Sequence, residues 1–69
     1  MDAEKKELQS RKSEIKKELK LLFKANMKIT DWDIPEADDK KSAEILVQIF
    51  QEGLDEIKRD IEEGKYNNY

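Results

Sequence analysis

Sixty-nine residues, 36% of them hydrophobic and 45% charged, allow one small domain whose burial on folding barely offsets the entropy of ordering the chain. The absence of cysteine excludes disulfides and thiolate metal sites as staples, and the absence of histidine removes the commonest general base and zinc ligand. Net charge is −3, unevenly divided: residues 1–28 carry nine Lys/Arg against five Asp/Glu, and residues 29–69 carry five against twelve.

Only two glycines and one proline interrupt the chain, and apolar residues recur every three to four positions, so the expected class is all-α. The first helix is expected over residues 2–26, with Asp2 at its start and Asn26 near its end. Its apolar stripe is thin. Leu8, Ile15, Leu19 and Leu22, with Phe23 at the edge, are interrupted by Glu4, Arg11 and Lys12. Met1, Leu8, Ile15, Leu22 and Ile29 also fall seven apart, a faint coiled-coil pattern with charged residues at the complementary positions.

A connector is expected over residues 27–38. It holds the chain's single Trp and single Pro, in Lys28-Ile29-Thr30-Asp31-Trp32-Asp33-Ile34-Pro35-Glu36-Ala37-Asp38-Asp39. Two starts are open for the second helix: an N-cap at Asp33 with Pro35 in the first turn, or a cap at Asp38 or Asp39. It is expected over residues 39–63, ending at Gly64, with 64–69 as a frayed tail. Ala43, Leu46, Val47, Phe50, Leu54, Ile57 and Ile61 share an arc about 100 degrees wide, a full core stripe.

Folded as an antiparallel two-helix hairpin, Leu22 is expected beside Leu46 and Leu8 near Ile57 to Ile61. Lys5 would then meet Glu62 and Lys12 would meet Asp55, so that the two charged halves neutralise each other. Some apolar residues remain outside both stripes. Leu21, Ala25, Ile45, Ile49 and Gly53 form a second apolar surface near the connector, which Trp32 and Ile34 or a second copy of the chain must cover. Gly53 in mid-helix costs roughly 1 kcal/mol relative to Ala, which points to the close approach of another helix. The interface candidates are therefore Leu21, Ala25, Trp32, Ile34, Ile45, Ile49 and Gly53.

No pattern for chemistry emerges. Asp31-x-Asp33 begins like a calcium loop, but Pro35 takes the third ligand position, Glu36 replaces the required Gly, and Ser42 stands where the bidentate Glu belongs. Ser10, Ser13, Ser42 and Thr30 have no recognisable base, and no phosphate-cradling glycine loop exists. No catalytic residue, metal or cofactor is expected. Lys12, Lys16, Lys20 and Lys24 make an i, i+4 ladder that could follow nucleic-acid phosphates, though no aromatic is interleaved and the chain is acidic.

No apolar run approaches the roughly 20 residues of a membrane span, and Met1-Asp2-Ala3-Glu4 followed by charges does not read as a secretory signal, so a cytoplasmic protein is expected. The expected object is a non-enzymatic helical protein-protein interaction or regulatory module. It would be a homo-oligomer in the form of a dimeric four-helix bundle. Two alternatives are an acidic regulator occupying the basic surface of a partner protein, and nucleic-acid binding through the lysine face.

Overall fold

The computed structural model describes residues 2–68, so Met1, which opens the seven-residue series, and Tyr69, which ends the tail, lie outside it. Among the described residues the protein is all-helical, with three helices: α1 (Asp2–Ser10), α2 (Lys12–Asp33) and α3 (Asp39–Glu62).

The expected first helix is broken at Arg11. In an unbroken helix the Arg11 N–H would bond the Glu7 carbonyl, but the Ser10 hydroxyl donates to that oxygen at 2.7 Å. The Arg11 N–H turns instead to the Leu8 carbonyl at 3.2 Å, and regular bonding resumes with the Ile15 N–H to the Arg11 carbonyl at 2.9 Å. This is the competition by which a serine hydroxyl loosens a helix interior.

The second departure is larger. Residues 27–33, expected in the connector, continue α2 to Asp33. Asn26, read as a stop, donates its side-chain amide to the Leu22 carbonyl at 2.9 Å, and the Thr30 hydroxyl donates to the Asn26 carbonyl at 3.0 Å. Both polar groups are satisfied within the helix and neither ends it. Pro35 does. The residue before a proline is pushed out of the helical region, and Ile34 sits at φ −133°, ψ 81° while its N–H makes the last bond to Thr30. The Ala37 N–H closes a tight turn onto the Ile34 carbonyl at 3.0 Å, with Pro35 in its second position. Of the two starts considered for the next helix, α3 takes the later one. Asp38 is its N-cap, accepting from the Lys40 N–H at 3.1 Å, and Asp33 is the last residue of α2.

Shortening the connector moves the register. The tight turn lays α3 back along α2 with Phe23 against Phe50, Leu19 near Leu54, and Thr30 near Ser42. The expected pairing of Leu22 with Leu46 places residue 45 opposite Phe23, and the observed partner is five residues further on. The predicted cross-helix charge pairs are lost with that shift. α1 does not pack on α3 at all, so Lys5 is not beside Glu62, and the displaced register takes Lys12 away from Asp55. Ion pairs form locally instead, as in Arg11–Glu7 at 3.2 Å.

The expected core stripes do not become a core. Among the described residues none is buried. Phe23, Met27, Leu46 and Phe50 are half-buried where α2 meets α3, while Leu8, Ile15, Leu19, Leu22, Val47, Leu54, Ile57 and Ile61 are all exposed. The radius of gyration is 15.8 Å, against roughly 11 Å for a compact chain of this length.

The tail is not frayed where it leaves α3. Gly64 adopts φ +82°, its N–H bonds the Ile61 carbonyl at 3.0 Å, and the Lys65 N–H bonds the Asp60 carbonyl at 3.0 Å. These are the two bonds of a Schellman stop, which glycine makes without strain. Lys65 Nζ adds ion pairs to Asp60 at 3.2 Å and Glu63 at 3.6 Å. Residues 63–68 form turns.

Candidate interaction surface

Each helix spends one face on the other and has apolar residues left over. On α2 the face toward α3 is carried by Leu19, Phe23, Asn26 and Thr30. Leu21, Ala25 and Trp32 fall on a different side, within about 40 degrees of each other at 3.6 residues per turn. Ile29 and Leu22 border that strip. All five are exposed.

Trp32 corrects the expectation built on it. As part of a connector it was to fold over the apolar patch; as part of α2 it belongs to the patch. Trp32 is 86% exposed, the most of any large apolar residue described. Leu21 and Ile49, which it was to cover, are each 55% exposed. The helix that carries Trp32 holds it in line with Leu21 and Ala25, so the indole cannot turn back over them.

The other candidates divide between two grooves. Ile34, Ile45 and Ile49 line one of about 230 Å³ near the turn, with Thr30, Ser42 and Leu46. Ile49 and Gly53 line another of about 340 Å³, with Leu19, Leu22, Phe50, Leu54 and Ile57. Ile49 joins the two. Beyond the neighbouring backbone of its own helix, no atom lies within 4 Å of where a Cβ on Gly53 would stand, so no packing among the described residues requires a glycine there. Ile29 and Leu22 were missed as surface residues because one was assigned to the connector and the other to the core. A helical wheel carried through to Pro35 would have found both.

The rim is charged and divided. Ser13, Lys16, Lys17 and Lys20 surround a shallow hollow at one end of α2. At the other end Asp31, Asp33, Glu36, Asp38 and Asp39 crowd around the turn. Asp31 titrates above the ordinary carboxyl range, chiefly because a hydrogen bond with the Asp39 carboxyl favours its protonated form, aided by lost solvent and by the charge of Asp39. Among the described residues no group of three acids is placed to hold a metal ion, and no helix is long and apolar enough to cross a membrane.

The arrangement is an exposed apolar surface with two grooves, bordered by lysines at one end of α2 and by acids at the other. No family model, curated protein or solved structure matches the chain.

Proposed function

We propose that this chain is a self-associating, non-enzymatic interaction module: the hairpin of α2 and α3 pairs with a second copy to make a dimeric four-helix bundle. The observation that carries the reading is the absence of any buried side chain among the described residues of a chain with a strongly amphipathic α3.

Area gives the scale. A compact monomer of 8.2 kDa exposes roughly 4,500 Å², and this chain exposes 6564 Å². The excess of about 2,000 Å² is more than the roughly 800 Å² per partner of a standard interface, and in the range of obligate dimers. At about 25 cal/mol per Å² of apolar area, covering even half of it supplies stabilisation that a hairpin without a core lacks. A second copy supplies a matching surface without any further gene product, and closed two-fold dimers are the commonest solution.

Sedimentation equilibrium tests the reading. The expected mass is twice the 8.2 kDa chain, with helicity that falls on dilution as the dimer dissociates. A chain that stays at single mass, fully helical and sharply folding, overturns it.

A further inference from the structure

On the side of the hairpin opposite Ile45 and Ile49, Phe23, Val47, Phe50 and Leu54 line a further groove of about 280 Å³, with Lys20 on one bank and Gln51 on the other. We propose that two copies meet through this face, about a two-fold axis parallel to the helices, with α2 of each copy beside α3 of the partner. The proposal rests on the self-association above and adds its face, axis and register.

The first support is the direction in which α3 points. At about 100 degrees per residue, Ala43, Val47, Phe50, Leu54 and Ile61 share an arc of about 60 degrees, centred between the side that meets α2 and the side that carries Gln51. A helix of a four-helix bundle aims its apolar stripe between its two neighbours, and α3 has a neighbour on one of those sides alone. Val47, Leu54 and Ile61 stand exposed as a result. Phe23 and Met27, both half-buried, continue the apolar floor on α2.

The second support is charge, in a register that leaves nothing to adjust. Within the chain Phe23 faces Phe50 and Leu19 lies near Leu54, so the numbers of facing residues add to 73. A two-fold parallel to the helices allows no slide along them, and each α2 residue meets the partner's α3 at that same sum. Lys28 then comes level with the partner's Glu44 and Lys17 with the partner's Asp55, each to within one residue. The two lysines lie about 140 degrees round α2 from the side facing α3, past Lys20, and the two acids about 160 degrees round α3 from the side facing α2, past Gln51. The two-fold therefore brings all four to the same edge of one seam. Within this chain Lys17, Lys28 and Glu44 make no ion pair, and the Asp55 carboxylate accepts only from the Gln51 amide, at 3.2 Å. Like charges approach at the far end, where the partner's Lys58 comes between Lys16 and Lys17, so the seam closes from the turn and stays open there. The same two-fold on the face of Ile45 and Ile49 pairs Glu14 with the partner's Arg59, but it sets Glu18 against the partner's Glu56 and leaves the α3 stripe pointing away.

A charge exchange in the full chain tests the contact, because Lys28 and Glu44 stand on opposite outer sides of the hairpin and cannot meet within it. In sedimentation at low salt, Lys28→Glu and Glu44→Lys should each raise the dissociation constant at least about threefold, and the two together should restore it. Val47→Asp should abolish the dimer, and Ile45→Asp, on the opposite face, should leave it. Single effects that add in the double variant, or a dimer that survives Val47→Asp and is lost with Ile45→Asp, overturn this arrangement and leave the self-association standing. A single-chain mass at all concentrations overturns both.

Discussion

Phe23 and Phe50 meet edge to face, their ring centres 6.0 Å apart and their planes at 87°. This is the geometry in which the positive edge of one ring faces the negative face of the other. It is one of the contacts between α2 and α3, and it sits near the middle of both helices. Replacing Phe50 by Ala should cost about 2 kcal/mol, below the usual range for a buried phenylalanine because the site is only half-buried. A double-mutant cycle with Phe23→Leu and Phe50→Leu, read by urea unfolding, should give a coupling of about 0.5–1.5 kcal/mol. Coupling near zero would mean that the helices are held by other contacts.

The start of α3 gives a sharper local prediction. Asp38 accepts from the Lys40 N–H at 3.1 Å, so Asp38→Ala should lower stability by about 1 kcal/mol, seen as lost helicity and a lower Tm. Asp33→Ala should not do the same, because Asp33 ends α2 and caps nothing. A larger loss at Asp33 than at Asp38 would restore the earlier helix start that the sequence also permits.

Those two aspartates show what was legible in the sequence and what was not. Helical character was plain from the three-to-four spacing, and both Asp38 and Gly64 were visible as terminal signals. What failed was the choice among competing stops. Asn26 is a common helix ender, yet its side chain bonds back to Leu22 and the helix passes through, whereas Pro35, whose backbone constraint no packing relieves, ends it. That one choice carried the rest. It turned Trp32 from a cover into part of the patch, shifted the register by five residues, and removed the charge pairs expected from it. The break at Arg11 was illegible for a different reason: it depends on a hydroxyl rotor at Ser10, which composition and periodicity do not encode.

The turn should make stability depend on pH in a defined direction. Asp31 has its pKa raised by Asp39, so the folded chain holds that proton more tightly than the unfolded one. The contribution to stability is full below the ordinary aspartate value of 3.8 and is lost as pH rises through the raised value. At neutral pH the two carboxylates oppose the fold. Asp31→Asn should therefore raise Tm at pH 7, with the gain shrinking to nothing near pH 3.5. A gain that is the same at both pH values would assign the effect to helix propensity and not to the neighbouring acid.

The two glycines should respond to alanine with opposite signs. Gly64 sits at φ +82°, where an L side chain is strained, and its added Cβ would stand 3.0 Å from the Asn67 side-chain amide. Gly64→Ala should cost about 1 kcal/mol and loosen the Lys65 bonds that stop α3. Gly53 lies in mid-helix with open space where the methyl would go, so Gly53→Ala should stabilise α3 by up to about 1 kcal/mol. Urea unfolding followed by helicity checks both signs, because a loss of stability for Gly53→Ala would mean that something outside this single chain needs the glycine there.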